Sequence, residues 1–517
     1  MKRRKFIKHV GHSLAAPGIV GSFGINSLQA KSMNRFLKMA AEEEKALVMI
    51  YMDGGNDGLN TVIPLDRLSE LNNVRPHVIM PEGLMHPLQD SSVALHPSLK
   101  GFSDLYHESR LGIIQNVGYP DQNYSHFRSS DIWMSASESD EVINSGWVGR
   151  YLNDAFDGYP EEYPNEAVPD PLAIEIGYGS SMLFQGPTAQ MSMVLNNPES
   201  FYNLLDEIEE EVPDTAAGDK LKYVRLVARQ SQLYGEVVKE AAKKAASQLD
   251  YPDTNLANQL KIVARLMSGG LKTPLFMLRI GGFDTHEGQV EGGDNTTGTH
   301  AELLTELNDA IVAFMADLES LGLDDNVVGM TFSEFGRRIV SNASNGTDHG
   351  AAAPLFVFGN AVRGGVLGSN PVVDNAMTYE DNLEMEFDFR QVYASILDQW
   401  FNVDSTSINS IMLKDFTTVP IIGGPTITSI NENIAQSLSV YPNPLNGDAT
   451  IELAVNTSTL QIDLLDMNGK MVERIYRGQP GSNKVKLPWN TSNLRTGRYF
   501  VIVNQQDNNQ VFSVVKR

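Results

Sequence analysis

Residues 274–286 read PLFMLRIGGFDTH, and this stretch decides how the larger part of the chain folds. An apolar run ends in two glycines, and a carboxylate and an imidazole follow directly at Asp284 and His286. A buried strand that closes on a glycine turn presents its next side chains at the rim of a sheet, where open α/β folds bind their ligands. The stretch therefore predicts a buried strand with a functional site at its end.

Five other apolar runs have the same buried-strand pattern. They are KALVMIYM at 45–52, LGIIQNVG at 111–118, PLAIEI at 171–176, NVVGMTF at 326–332 and PLFVFG at 354–359. Helical stretches lie between them, including one from His300 and FRQVYASILDQWF near residue 395. Strands that alternate with helices indicate a mostly parallel sheet covered on both faces. Residues 40–405 are therefore predicted to form one α/β domain, with a helical insertion near 198–270.

The composition of the chain excludes several classes of protein. Its 517 residues are too many for one compact core and suggest at least two domains. The formal net charge of −24 repels nucleic acid phosphates and anionic lipid, so we expect no nucleic acid partner. The chain has no cysteine, which excludes disulfides, thiolate metal sites and cysteine nucleophiles. No apolar run after the N-terminus reaches the roughly eighteen residues of a transmembrane segment.

The first thirty residues are predicted to be an export signal, separate from the fold. Five basic residues fall among the first eight, an apolar stretch rich in Gly, Ala and Ser follows, and the segment ends in SLQA. Arg3 and Arg4, followed by Lys5-Phe6-Ile7, resemble a twin-arginine signal, which exports proteins that have already folded. A general secretory signal with a basic start is the alternative.

The last part of the chain has a different pattern. Residues 406–435 are predicted to be a linker rich in Ser, Thr, Ile, Asn and Pro, and residues 436–517 consist of short strand patterns separated by turns. Asn468-Gly469, between two alternating runs, is a hairpin signal. These features predict a small all-β, Ig-like sandwich. A carbohydrate-binding sandwich is the alternative, although this tail has one tryptophan and no evident sugar platform.

Three motifs in the tail resemble a sorting module. They are YPNP at 441–444, the L-x-x-G-x-Y-F run from Leu494 to Phe500, and the terminal VVKR. In this order they are similar to the type A C-terminal sorting domain of the type IX secretion system. The resemblance implies the type IX secretion machinery as a partner in a Bacteroidetes-type bacterium. It also implies passage through the periplasm and the outer membrane, followed by secretion or attachment to the cell surface.

Acidic and imidazole side chains cluster near the ends of the predicted strands. In a parallel sheet these strand ends share one rim, so their side chains converge. Carboxylate oxygens and imidazole nitrogens bind divalent cations such as Zn or Mn, and an all-oxygen subset would suit Mg or Ca. The candidate metal ligands are Asp57, Asp284, His286, Glu334, Asp348 and His349. Capping and turn-forming roles are the alternative, especially for Asp53, Asn56 and Asn60.

Two further residues are candidates for catalysis. Ser125, in NYSHFRSSDIW, precedes a helix that begins near His126, and it could be a nucleophile if a metal or a base removes its proton. The alternative is that Ser125 only caps this helix. Arg337, in EFGRR, is a candidate clamp for an anionic group, with pairing to a neighbouring acid as the alternative.

Residues 45–405 resemble a family of uncharacterised proteins, domain of unknown function 1501 (DUF1501). The matching blocks are GGNDGLNTVIP, SHFRSSDIW, GWVGRYL, GGFDTH, the helix from His300, TFSEFGRR and GTDHGAAAPLFVFG. The family is grouped with the alkaline phosphatase and sulfatase superfamily. That grouping implies a parallel sheet, a two-metal centre and a Ser, Thr or modified Cys nucleophile. It implies a fold and a place for the site, and no substrate.

The superfamily pattern carries over incompletely. It implies Asp57, or Asp53, as the acid after the first strand, and Asp284, His286 and His349 as further ligands. Glu334-Phe335 stands where phosphatase relatives have an Asp-His pair, so one imidazole is missing from the second metal position. The centre could hold one metal, complete a second site with Glu334 and Asp348, or lack catalysis. A sulfatase-type C/S-x-P-x-R motif is absent from the sequence, which disfavours an ordinary sulfatase.

Together these features predict an exported, metal-dependent hydrolase of phosphate or sulfate esters. Its substrates would be polysaccharides, their fragments or small-molecule esters. The alternative is a non-catalytic secreted or surface protein that keeps the fold and serves ligand binding or adhesion.

Overall fold

The computed structural model describes residues 45–177, 179–196, 215–245, 249–423 and, with short gaps, 439–516. The chain divides into two compact units, Met1–Pro425 and Thr426–Arg517. Three features predicted from the sequence lie outside the described residues: the export signal, most of the YPNP motif and the Asn468-Gly469 turn. Of the predicted linker at 406–435, residues 424–435 also lie outside them. The start of that range is not a linker, because Ser405–Met412 is a helix whose Ile408, Ile411 and Met412 are buried in the first unit.

A nine-stranded sheet forms the centre of the first unit, and a three-stranded sheet lies beside it. In chain order the strands are β1 (Ala46–Asp53), β2 (Val62–Pro64), β3 (His86–Pro87), β4 (Val93–Leu95), β5 (Leu111–Gly118), β6 (Ala173–Ile176), β7 (Met193–Leu195), β8 (Leu275–Gly281), β9 (Val327–Phe332), β10 (Ala353–Phe358), β11 (Gly365–Leu367) and β12 (Phe387–Asp388). The central order is β11-β5-β10-β9-β1-β8-β6-β7, with β12 paired to β5, and the small sheet has the order β2-β4-β3.

Most neighbouring strands of the central sheet are parallel. Strand β1 runs parallel to β8 on one side and to β9 on the other. Strand β10 is the exception, because it runs antiparallel to both β5 and β9. The predicted α/β class with a mostly parallel sheet is confirmed. Because β10 is reversed, the residues before it lie at the rim where β1, β5, β8 and β9 end.

Helices cover the sheet. They are α1 (Gly58–Thr61), α2 (Leu68–Val74), α3 (Lys100–His107), α4 (His126–Ser135), α5 (Trp147–Ala155), α6 (Ala216–Lys244), α7 (Asn255–Ser268), α8 (Thr299–Leu321), α9 (Phe389–Ser395) and α10 (Ser405–Met412). A π-helical turn, Ile396–Trp400, continues α9. Among the described residues, no helix combines the length and the apolar character needed to cross a membrane.

The central strands are apolar throughout because both faces of the sheet are buried. Along β1, Leu47 and Met49 belong to one buried cluster, which includes Trp133 of α4. Val48 and Ile50, which alternate with them, belong to the cluster on the other face together with residues of α7 and α8. All of these β1 side chains are fully buried. The rim of the sheet is therefore the place where this layered unit exposes polar groups.

In the part of the second unit that the structure describes, all regular elements are β-strands, as predicted. Its strands are β13 (Ser439–Tyr441), β14 (Asp448–Ala454), β15 (Leu460–Leu465), β16 (Met471–Gly478), β17 (Lys484–Asn490), β18 (Gly497–Gln505) and β19 (Asn508–Lys516). They form two sheets, β13-β14-β17 and β16-β15-β18-β19. Apolar side chains from both sheets, including Ile451, Ile462 and Val501, form one buried cluster.

Candidate metal centre

The loop after β1 fits against the turn after β8 only because two glycines follow Asp53. Gly54 has φ +123°, and a Cβ there would lie 2.3 Å from the backbone nitrogen of Asp284. Gly55 has φ +89°, and its Cβ would meet the ring of Phe335 at 2.4 Å. A residue with a side chain rarely adopts this backbone conformation, and its Cβ would clash with these atoms. Glycine at both positions therefore allows the loop after β1 to pack against the turn after β8 and against Phe335.

Four side chains converge at this rim, and we call them the ligand cluster: His126, Asp284, His286 and His349. Asp284 Oδ1 lies 3.1 Å from His286 Nε2 and 3.1 Å from His349 Nε2. The two Nε2 atoms are 2.9 Å apart. Asp284 Oδ2 lies 3.4 Å from His126 Nε2. The residues come from the start of α4, the turn after β8 and the loop before β10.

In each histidine of the cluster, the Nδ1 atom lies at hydrogen-bond distance from an oxygen. His126 Nδ1 lies 2.7 Å from Glu334 Oε1, and His286 Nδ1 lies 2.8 Å from Asp348 Oδ1. His349 Nδ1 lies 2.8 Å from the backbone oxygen of Tyr124. A carbonyl or carboxylate oxygen can only accept, so each Nδ1 carries the hydrogen. In the neutral ring, each Nε2 then presents a lone pair to the cluster.

These donor atoms fit a cation. The lone pairs of His286 and His349 face each other and the Asp284 carboxylate, an arrangement that is repulsive without a positive charge between them. Donor atoms around a tetrahedral zinc ion, at bond lengths of about 2.0–2.1 Å, are separated by about 3.3 Å. The distances from the Asp284 oxygens to the three histidine Nε2 atoms and the distance between the Nε2 atoms of His286 and His349, from 2.9 to 3.4 Å, are close to this value. Metal-binding histidines commonly have their second nitrogen fixed in this way.

Asp284 is ionised at neutral pH. Partial burial opposes its ionisation, but the hydrogen bond from the Arg337 guanidinium and the proximity of the His349 ring outweigh that effect and lower its pKa to about 2. For Asp348, partial burial is likewise outweighed by hydrogen bonds from His286 and Asn342, which lower its pKa. Burial lowers the pKa of His349, which favours the neutral ring. The cluster therefore offers one carboxylate and neutral imidazole nitrogen to a cation.

Of the six predicted metal ligands, Asp284, His286 and His349 lie together in the cluster. Glu334 and Asp348 lie next to the cluster, but their oxygens that approach it accept hydrogen bonds from the Nδ1 atoms of His126 and His286. Asp57 is fully buried, and its oxygens contact Arg75 at 3.1 and 2.7 Å and the amide of Gln289. A metal-binding role for Asp57 would require these contacts to break, because they occupy both carboxylate oxygens.

Arg337 is part of the support of the cluster. Its buried guanidinium donates to Asp284 Oδ1 at 2.8 Å and to the backbone oxygens of Gly55 and Thr347, each at 2.8 Å, as well as to those of Gly54 and Phe283. These bonds join the loops after β1, β8 and β9. The predicted role of Arg337 as an anion clamp is therefore corrected, because its nitrogens are already engaged within the protein.

Ser125 is exposed and directly precedes the cluster residue His126. It is the N-cap residue of α4, but its side chain makes no capping hydrogen bond. The alternative that Ser125 only caps the helix through its side chain is thus not what the structure shows. Asp53, another residue weighed from the sequence, forms an ion pair with Arg279 beside the site.

From the sequence, His126 is named only as the start of a helix and is not counted among the candidate metal ligands. The signal was present, because His126 opens a helix that follows a buried strand, β5, whose end lies at the same rim. The group His126, Asp284 and His349 has ligand atoms that all lie within 4.8 Å of one another. A potential metal site of His and Asp residues is therefore present, although it differs in membership from the predicted one.

Several solved structures show some similarity to this chain. A protein of the alkaline phosphatase superfamily from Vibrio parahaemolyticus is 8% identical, with 89% of this chain and 87% of that chain covered and a TM-score of 0.31. The PsFucS1 sulfatase from Pseudoalteromonas is 10% identical, with coverages of 92% and 91% and a TM-score of 0.25. PorZ of the type IX secretion system of Porphyromonas gingivalis is 21% identical, with a TM-score of 0.13, and the match covers 20% of this chain and 14% of PorZ. Scores this low establish no activity, metal or substrate for this chain.

A search of curated proteins finds no match. Residues 439–517 match the family described as "Secretion system C-terminal sorting domain". This tail indicates export by type IX secretion, to the cell surface or the medium. Residues 110–412, more than half of the chain, match the family described as "Protein of unknown function (DUF1501)". The chain belongs to the DUF1501 family, as the resemblance of its sequence blocks implied.

Proposed function

We propose that this protein is an exported, metal-dependent hydrolase of phosphate or sulfate esters. The observation that carries the proposal is the ligand cluster, in which three imidazole Nε2 atoms lie within 3.4 Å of the ionised Asp284 carboxylate. Three nitrogen donors and one oxygen donor suit Zn or Mn better than Mg or Ca, which prefer oxygen ligands. Only one cation is proposed, because Asp57 and Glu334 are engaged elsewhere.

The proposed chemistry combines the cation with residues at its side. A divalent cation bound here would polarise a phosphoryl or sulfuryl oxygen and lower the pKa of a nearby hydroxyl or water. The Ser125 hydroxyl, or a water molecule, would attack the phosphorus or sulfur atom, and the proton that it gives up would go to the departing ester oxygen, which leaves as an alcohol. If Ser125 attacks, a water molecule would then hydrolyse the serine ester, release phosphate or sulfate and restore the hydroxyl. Glu334 and Asp348 keep His126 and His286 in the orientation that the cluster requires.

Two aromatic side chains near the cluster favour an ester with an organic ring. Phe127, next to His126, is 88% exposed, and Tyr124, whose backbone oxygen holds His349, is 39% exposed. Arg338 stacks over the Tyr124 ring, 5.2 Å from its centre. Exposed aromatic rings beside a polar site suit the apolar face of a sugar or an aryl group. Saccharide esters are therefore among the substrates to test.

The test compares metal content and turnover in matched variants. Wild-type protein should bind about one Zn or Mn ion per chain and hydrolyse some member of a panel of aryl phosphates and aryl sulfates. The double variant Asp284→Ala with His349→Ala should lose both properties, whereas His77→Ala, an exposed histidine outside the cluster, should keep them. Unchanged turnover in the double variant would reject this site. Metal binding without turnover of any ester would instead support the non-catalytic alternative.

A further inference from the structure

Gln289 links the two turns that carry His286 and His349. Its side chain has no exposed surface. Its Oε1 accepts hydrogen bonds from Thr347 Oγ1 at 2.6 Å and from Thr285 Oγ1 at 3.4 Å. Each threonine stands within two residues of a proposed ligand. One amide oxygen therefore holds both turns.

The other end of the Gln289 amide is anchored. Its Nε2 donates to Asp57 Oδ2, and Asp57 is paired with Arg75 through two bonds of 3.1 and 2.7 Å. Asp57 is 1% exposed and Arg75 is fully buried. Because the anchor is a buried ion pair, the Gln289 oxygen cannot shift without breaking a bond that water would not replace.

We propose that Gln289 is a positioning residue, which fixes the spacing between the 284–286 turn and the 347–349 turn and thereby sets the affinity of the ligand cluster for Zn²⁺. The inference rests on the proposed metal centre. The hydrogen bonds of the Gln289 side chain go to Asp57, Thr285 and Thr347 and not to a donor atom of the cluster, so its effect passes through Thr285 and Thr347. The two turns also touch directly, since the Thr347 nitrogen donates to the Thr285 oxygen at 3.1 Å.

This arrangement gives Asp57 a role in the support of the cluster. The GGNDG loop places Asp57 next to the Gln289 amide. Asp57 accepts a hydrogen bond from the amide nitrogen, so the amide oxygen of Gln289 faces the threonine hydroxyls. Without that orientation the amide could rotate and present its NH₂ group to hydroxyls that need an acceptor. The anchor, the amide and the two hydroxyls thus form one chain of bonds from Arg75 to the two turns.

The first experiment measures Zn²⁺ affinity of the full chain by competition with a chromogenic chelator. Thr347→Val removes the hydroxyl and should weaken Zn²⁺ binding about tenfold, as is common when a group that orients a ligand is lost. Thr347→Ser keeps the hydroxyl and should stay within about twofold of wild type. Thr273→Val is the matched control, because Thr273 is also buried and donates to a backbone oxygen, at 2.8 Å, but precedes β8 at the far end of the strand. Equal effects of the two valine variants would overturn the proposal.

A second experiment tests whether Thr347 acts through Gln289. In a Gln289→Leu background, Thr347→Val should cause little further loss of Zn²⁺ affinity, because the acceptor of the hydroxyl is already absent. An undiminished further loss would show that Thr347 acts by another route and would contradict the proposal. If Gln289→Leu fails to fold, the comparison of valine and serine at position 347 still decides the matter.

A metal-free measurement separates this inference from the proposed function. Amide hydrogen exchange of residues 285–289 and 345–349 should become faster in Thr347→Val, by about tenfold or more, and remain unchanged in Thr273→Val. Failure of the wild-type protein to bind Zn²⁺ would reject the metal centre and the affinity claim. The exchange result would then still show whether Gln289 holds the turns, and unchanged exchange would reject that as well.

Discussion

At the scale of single residues, the candidate site contains two kinds of acid. The oxygens of Asp284 face three imidazole Nε2 atoms, whereas Glu334 and Asp348 accept hydrogen bonds from imidazole Nδ1 atoms on the opposite side of the rings. All three acids follow or precede strands in loops of similar composition, so sequence spacing cannot separate them. The distinction depends on which side of a histidine ring each carboxylate meets. Only the folded arrangement determines that side.

The role of Glu334 leads to a prediction about metal affinity. Glu334 is fully buried and accepts from His126 Nδ1 at 2.7 Å and from the Gly54 nitrogen at 2.9 Å. In Glu334→Gln the carboxylate charge is lost and one oxygen becomes an NH₂ group, so the hydrogen bond that orients His126 is weakened. We expect Zn²⁺ affinity to fall by about 10-fold. Chelator competition should show no change for Glu319→Gln, whose carboxyl is 64% exposed. Wild-type affinity in Glu334→Gln would place His126 outside the metal site.

The ion pair of Asp57 and Arg75 leads to a prediction about stability. Asp57→Asn removes the charge that the buried guanidinium faces, and breaking such a pair costs about 3 kcal/mol or more. We expect the free energy of unfolding in urea to fall by that amount. Asp104→Asn is the control, because the pair of Asp104 with Lys100 is exposed on α3 and such pairs contribute less than about 1 kcal/mol. A comparable loss in both variants would mean that the buried pair has no special weight.

At the scale of elements, the strands were more predictable than their directions. Each of the six long apolar runs overlaps a strand of the central sheet, because a strand buried on both faces is apolar throughout. The short strands β7, β11 and β12 were not predicted, since two or three residues cannot show a pattern. The reversal of β10 was also not predicted, and it brings His349, which precedes that strand, to the common rim. The sequence predicted which end of the sheet has the polar residues. It could not predict that Arg75 pairs with Asp57, because only the folded chain brings these two residues together.

The start of helix α8 should make stability depend on pH. His300, in its first turn, is buried and lies 3.2 Å through Nε2 from Asn56 Oδ1. Burial lowers its pKa from 6.5 to about 4, although the Asp57 charge opposes this in part. Between these values the unfolded chain binds more protons than the folded one. The free energy of unfolding should therefore fall as the pH drops from 6.5 toward 4.

This contribution can be isolated with a variant. His300→Gln keeps a donor for Asn56 but does not titrate, so the slope of stability against pH should decrease by up to about 1.4 kcal/mol per pH unit. Unfolding in urea can be followed by tryptophan fluorescence, since Trp133, Trp147 and Trp400 lie in the first unit. His107→Gln, at an exposed position, should keep the wild-type slope. Identical slopes in all three proteins would show that His300 does not cause the pH dependence.

At the scale of the whole molecule, the chain has two compact units with different features. The first has the ligand cluster, and the second matches the sorting domain that indicates export. Each unit has its own buried apolar clusters. Since stability follows from such cores, we expect damage to one unit to leave the other intact. Export and metal binding should therefore be separable by mutation.

Two substitutions test this separation in opposite directions. Ile462 is fully buried in the second unit, and Ile462→Ala should destabilise that unit by about 2–4 kcal/mol because it leaves a cavity. In a bacterium with type IX secretion, less of this variant should reach the surface and the medium, while the purified protein binds Zn²⁺ as wild type does. Asp284→Ala should be exported normally and lose Zn²⁺ binding. Val472→Ala, at a position 43% exposed, is the control and should affect neither property. If Ile462→Ala also weakened Zn²⁺ binding, the two units would be coupled, and sorting and metal binding could not be assigned to separate parts of the chain.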